Sequence, residues 1–344
     1  MPRSLSELSP SKILIRSTNW IGDAIMTTPA IRTIRRNFPQ ARISILAKPW
    51  VAGVFAASPD VDDIIVYKNY GEHRGVGGIF SLARELRQQG FDLAILLQNA
   101  FEAALIARLA AIPLRAGFSR DGRGLLLTHG ITLPLNIKRR HQVYYYQTLM
   151  AKLGLTPGPN DLSLQLPQTA RRKAGDLLSG FGRGPFIGLN PGGAYGPAKR
   201  WPTQNFAVLT RRLHKELNAR VLVFGTKAEA ETGAAIQAAA PGAVLNLTGR
   251  TNLIDAMALI ERCHAFVSND SGLMHVGAAL KTPMAAIFGS TNPVTTGPFS
   301  KKAIILRKDI SCSPCLRPHC DSDFRCMTEI VVDDVFSAVT RLLF

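Results

Sequence analysis

Short apolar runs with strand character alternate with helix-patterned stretches along almost the whole chain, and the alternation starts afresh after a single break. In the first half the runs are KILIR (Lys12–Arg16), RISILA (Arg42–Ala47), DIIVY (Asp63–Tyr67), LAILLQ (Leu93–Gln98) and a run near RAGF at 115–118. Helical patterns separate them, such as IRTIRRNF (Ile31–Phe38) and IFSLARELRQQG (Ile79–Gly90), and Tyr144–Gly154 reads as a further helix. Strands spaced by helices must run parallel, because a hairpin leaves no room for the crossover. The break is LTPGPNDLSLQLPQ (Leu155–Gln168), rich in proline, glycine and turn-forming polar residues. Beyond it come Phe186–Asn190, Ala219–Gly225, Ala243–Leu247, His264–Asn269 and Pro283–Gly289, and the chain ends on an amphipathic DDVFSAVTRLLF. The pattern predicts two doubly wound α/β domains, 1–165 and 166–344, the second closed by a C-terminal helix. Ligands of such sheets bind beyond the carboxyl ends of the strands, so the informative residues are those just after each run, facing a cleft between the domains.

Composition narrows the class. The chain has 344 residues, 46% hydrophobic and 19% charged, as folded domains do. No apolar run reaches the roughly 18 residues a membrane span needs; AALIARLAAIPL is broken by Arg108 and Pro113. MPRSLSELSPSK contains no apolar signal region, so a cytosolic protein is expected. The net charge of +17 favours an anionic partner. Basic residues are scattered, with no nucleic-acid motif, so an anionic membrane face or substrate is expected and nucleic acid is not.

The loops after the strands carry the chemistry. In TNWIGDAIMTTPAI, Asp23 is the only charge. A short helical turn near Ile21 and a main helix capped at Thr28–Pro29 would leave Asp23 at the end of the first strand, with Gly22 allowing close approach. Asp23 reads equally as a helix cap or as an ionised side chain in the cleft. NPGGAYGPAKRWP follows Asn190: three glycines expose backbone N–H groups to an anion, and Lys199 adds a point charge. SNDSGLMH follows the strand at 264–269, where Asp270, Ser271 and Gly272 open a helix, itself an anion site, and His275 lies in its first turns. Thr226 and Glu229 follow Phe224, where Glu229 could accept from ribose hydroxyls, and the Thr248–Gly249 loop with Leu253 could flank a purine. Each of these signals is weak alone, since caps, surface histidines and flexible loops give the same residues.

Together, RSTNWIGDAIMTTPAIRTIRRNFP, NPGGAYGPAKRWP and SNDSGLMHVGAAL with TPMAAIFGSTNP resemble the ADP-heptose:lipopolysaccharide heptosyltransferases of glycosyltransferase family nine, in order and over nearly the full chain. The resemblance implies a GT-B fold of two Rossmann-like domains, with the N-terminal domain holding the acceptor and the C-terminal domain the ADP-sugar. It implies an inverting transfer without a glycosyl-enzyme or obligatory cofactor, from ADP-heptose to the first inner-core heptose of a lipopolysaccharide precursor. Asp23 matches the family's catalytic base and Lys199 its phosphate-contacting lysine. Asp270, Ser271, Gly272 and His275 match the donor loop, and Glu229 a ribose contact; Gly22, Thr226, Thr251 and Leu253 are further donor-site candidates. Asn19, Arg120 and Arg123 are acceptor candidates, and Lys138 and Arg139 candidates for acceptor or membrane, although solvated surface charge gives the same pattern. The acceptor's setting implies a peripheral place at the inner face of the inner membrane. The alternatives are another core position as acceptor, or a non-catalytic nucleotide-sugar-binding protein.

Cys312, Cys315, Cys320 and Cys326 crowd into CSPCLRPHCDSDFRC, while Cys263 stands alone and reads as core. The cluster is a candidate structural zinc site, with free thiols or a redox bridge as the alternative, since its x4 and x5 spacings depart from common zinc knuckles. Asp321–Ser322–Asp323 lies inside this segment rather than after a core strand, and reads as a chance D-x-D.

Overall fold

The computed structural model describes residues 4–344; 1–3, which open the segment read as lacking a signal region, lie outside the described residues. The chain divides into two compact units, Met1–Gln165 and Leu166–Phe344. The first contains β1 (Lys12–Arg16), β2 (Arg42–Ala47), β3 (Asp63–Val66), β4 (Leu93–Leu96), β5 (Leu114–Phe118) and β6 (His129–Ile131). They form one six-stranded sheet in the order β3-β2-β1-β4-β5-β6, with every pair parallel. The second contains β7 (Phe186–Asn190), β8 (Arg220–Val223), β9 (Val244–Asn246), β10 (Ala265–Asn269), β11 (Met284–Ile287) and β12 (Ala303–Leu306). Its order is β12-β11-β10-β7-β8-β9, again all parallel.

The central strands are apolar on both faces because helices cover both. Ile13, Leu14 and Ile15 of β1 are all buried, as are Ala265, Phe266 and Val267 of β10. Gly188 in β7 makes room for a large neighbour: a Cβ there would lie 2.6 Å from the Phe266 ring and 3.0 Å from the sulfur of buried Cys263. The C-terminal helix Val332–Leu343 buries Val335, Ala338 and Val339 in the same core as β10, β11 and Trp201. The Trp201 indole donates to the Ile330 carbonyl at 2.7 Å.

In each sheet the strand order reverses beside its first strand, between β1 and β4 and between β7 and β10. Such a reversal opens a crevice at the carboxyl ends, where doubly wound sheets bind ligands. The loops carrying Asp23, Lys199 and Asp270 all leave strands that flank these reversals.

Two local expectations change. Asp23 is not a cap: the helix Ile21–Met26 is capped at Trp20 without a side-chain bond, and Asp23 lies in its first turn. The next helix, Thr28–Asn37, has its cap at Thr27 rather than Thr28. The apolar stretch rejected as a membrane span overlaps the helix Phe101–Leu109, which packs on the sheet core. Among the described residues no helix is long and apolar enough to cross a membrane.

Candidate active site

In the second unit, Asn190 ends β7 and Asn269 ends β10, on neighbouring strands. The Asn190 amide donates to the hydroxyls of Ser268 at 2.9 Å and Ser271 at 2.6 Å. The Asn269 amide donates to the Pro191 carbonyl at 2.7 Å, and its oxygen accepts from the Trp201 N–H at 3.2 Å. These two asparagines tie the glycine-rich loop to the loop that opens the helix Gly272–Ala279. Ser271 caps that helix, accepting from the Met274 N–H at 3.4 Å.

Lys199 ends a short 3-10 turn, Pro197–Lys199. Its ammonium lies 2.7 Å from Asp270 Oδ2, and both side chains are largely buried. Thr291, just past β11, donates its hydroxyl to the same oxygen at 2.7 Å. The Lys199 ammonium also stands 4.9 Å from the centre of the Tyr195 ring. The loop thus presents a cation held by a carboxylate and an aromatic ring. His275 is buried in the first turns of the helix.

Glu229 folds back on its own turn: its Oε2 accepts from the Thr226 N–H at 2.8 Å and from the Thr226 hydroxyl, completing a capping box. Its other oxygen is 3.9 Å from the Arg200 guanidinium, and a Cβ at Gly192 would come within 3.2 Å of its carboxyl carbon. Glu229 and Thr226 therefore adjoin the glycine loop. Thr251 lines a separate cavity of about 260 Å³ with Leu247, Arg250 and Leu259, which includes neither Lys199 nor Asp270. Leu253 begins the helix Leu253–Glu261, capped by Asn252, whose side chain accepts from the Asp255 N–H at 2.9 Å.

In the first unit, Gly22 is buried and Asp23 half-buried. Burial, together with the nearby charge of Asp23, holds the buried Tyr146 phenol well above its ordinary range. Asn19 accepts at its side-chain oxygen from Arg16 at 2.9 Å, and at its carbonyl from the Trp50 indole at 2.8 Å. Its polar groups hold the Asp23 loop to β1 and to the segment after β2. Beneath it, Arg16 and Lys48 are buried beside Tyr67, with the Lys48 ammonium 3.7 Å from the ring centre. Burial and the Arg16 charge push Lys48 down to about 8.

Arg123 corrects the reading of it as surface charge. It is fully buried and donates to the carbonyls of Phe118, at 2.9 Å, and Gln98, and to the Asn99 side chain at 2.8 Å. Burial lowers its guanidinium to about 10. Arg123 is a strut joining the loops after β4 and β5. Arg120 is half-buried, and Lys138 and Arg139 are exposed.

All thiols of the cysteine segment are free, and no three His, Cys, Asp or Glu among the described residues converge as a ligand set would. The four sulfurs are close enough that Cys320, Cys312 and Cys315 add to burial in raising the Cys326 thiol. Asp321 and Asp323 are paired with Arg317 and Arg325 respectively.

A profile of glycosyltransferase family 9 (heptosyltransferase) matches residues 79–324. Lipopolysaccharide heptosyltransferase 2 of Escherichia coli (strain K12) is 34% identical over 306 residues, 86% of this chain and 88% of that one. The solved E. coli ADP-heptose LPS heptosyltransferase II superposes with a TM-score of 0.83 at 31% identity, over 96% of this chain and 98% of the other. A family 9 glycosyl transferase of Veillonella parvula superposes with a TM-score of 0.89 at 26% identity, over 98% of both chains.

Proposed function

Since the chain belongs to glycosyltransferase family 9, the heptosyltransferases, we propose that it moves heptose from ADP-heptose onto the first heptose of a lipopolysaccharide core precursor. It is a glycosyltransferase of lipopolysaccharide core synthesis, like the heptosyltransferases 2 to which it is similar.

In the mechanism we infer, the first unit takes the acceptor and the second the ADP-sugar. A sugar hydroxyl is a poor nucleophile, and the Asp23 carboxylate takes its proton as the oxygen attacks the anomeric carbon. The bond from that carbon to the ADP phosphate oxygen breaks as the new glycosidic bond forms, and the configuration inverts. Negative charge grows on the departing diphosphate, where Lys199 and the N-terminus of the helix Gly272–Ala279 stabilise it. In this reading Glu229 and Thr226, beside the glycine loop, meet the ribose, while the cavity lined by Thr251 lies apart from Lys199 and Asp270. A single displacement needs one base and one leaving-group site rather than a retaining pair of carboxylates.

The observation that carries this reading is the ion pair that holds Lys199 at the reversal of a doubly wound sheet, beside a helix N-terminus. Its test is turnover of ADP-heptose with a heptosylated Kdo-lipid A acceptor. Asp23→Asn is expected to lower kcat by about 100-fold or more while ADP affinity stays near normal. Full turnover by this variant would remove Asp23 as the base. Binding of ADP-heptose without transfer by the unaltered protein would favour a non-catalytic role.

A further inference from the structure

The glycine loop is braced from outside by the cysteine segment, and the brace closes a ring around Lys199. On one side the Lys199 ammonium meets Asp270, and Asp270 accepts from Thr291. Ser290, the neighbour of Thr291, offers its carbonyl to the N–H of Leu316 at 2.7 Å. The Leu316 carbonyl in turn accepts from the Tyr195 hydroxyl at 2.7 Å. The Tyr195 ring lies against the ammonium and completes the circuit.

Two further features show that this contact is built. Leu316 is a bulky residue in the left-handed region, with φ of +58°, a conformation that costs free energy and persists only where its surroundings enforce it. Both of its backbone polar groups are used in the ring. Two residues on, the Pro318 carbonyl accepts from the Ala198 N–H at 3.1 Å, next to Lys199. Gly196 passes so close to that carbonyl that a Cβ would strike it, at a φ of +154° that a side chain rarely adopts. The segment is anchored behind by the Ser313 hydroxyl, which donates to the Gly289 carbonyl at 2.7 Å.

We propose that Tyr195 is a positioning residue for Lys199, held by the Leu316 carbonyl, so that the cysteine segment sets the geometry of the donor-phosphate site. The inference rests on the reading of Lys199 as the diphosphate contact. The ammonium is held both by the Asp270 carboxylate and by the ring. Loss of the hydroxyl frees the ring; loss of the ring leaves Asp270 alone.

The test is steady-state kinetics on the full chain, varying each substrate in turn, with calorimetric ADP binding. Tyr195→Phe keeps the ring and loses its anchor, and is expected to raise the donor KM about three-fold. Tyr195→Leu loses both and is expected to raise it about ten-fold. The acceptor KM and the thermal midpoint should not move, since Tyr195 is 48% exposed. A loop-wide structural role would move the midpoint, and would overturn the inference. Lys199→Ala separates the two levels of the argument. If it raises the donor KM while both Tyr195 variants behave as wild type, Tyr195 does not position it. If Lys199→Ala itself leaves donor binding unchanged, the reading of Lys199 falls and the inference falls with it.

Discussion

Lys199 already has a counterion, and this decides how its site behaves. The pair with Asp270 is largely buried, so removing one charge strands the other. Asp270→Asn is expected to cost about 2 kcal/mol of stability by urea denaturation, below the range for fully buried pairs because Lys199 keeps some solvent. The same variant should become more sensitive to inhibition by inorganic phosphate, because Asp270 competes with any free anion for the ammonium. Lys48 shows the opposite economy, a buried cation with a ring for company and no carboxylate bonded to it among the described residues. Its folded value near 8 lies below the ordinary 10.5, so the unfolded chain binds more protons between those pH values. Wild-type stability therefore rises with pH through that window, and the cost of the buried charge is fully present below it. Lys48→Met is expected to stabilise the protein on the order of 2 kcal/mol at pH 7, after loss of the cation–ring contact. The gain should vanish above pH 10.5 in denaturation curves; a gain independent of pH would contradict the account.

Strand β7 is the element on which the donor site hangs, since the glycine loop leaves its carboxyl end. Gly188→Ala would push a methyl into Phe266 of β10 and is expected to cost about 1–3 kcal/mol, read as a lower denaturation midpoint. An unchanged midpoint would mean that Phe266 has space to move. Elements like β7 are plain in the sequence because a buried parallel strand is a short apolar run between turn residues; Lys12–Arg16, Arg42–Ala47 and Phe186–Asn190 are readable to the residue. The edge strands β6 and β12 escape the same reading. They are three and four residues long and only partly buried, so their apolar signal is weak. The site is legible as single residues but not as pairs. Nothing local in NPGGAYGPAKRWP says that Lys199 meets Asp270, or that Tyr195 reaches Leu316, because those partners arrive through the sheet order. Arg123 misleads for the same reason: a run of basic residues looks solvated until the loops after β4 and β5 close over one of them.

The net charge of +17 belongs to no single element and acts as a field over the molecule. It suits an acceptor carried on an anionic surface. Transfer to an acceptor embedded in anionic vesicles is therefore expected to slow as ionic strength rises past about 0.15 M, where the screening length falls to about 8 Å. A neutral, water-soluble acceptor fragment should show no such decline, and an equal decline for both would assign the charge to solubility. The two sheets share one strand plan, and the boundary at Gln165–Leu166 cuts no strand or helix. That boundary is a natural crossover point for recombination. Halves exchanged there between related chains keep each sheet whole. A chimera joined at that point would reveal, by the substrates it accepts, which half recognises which.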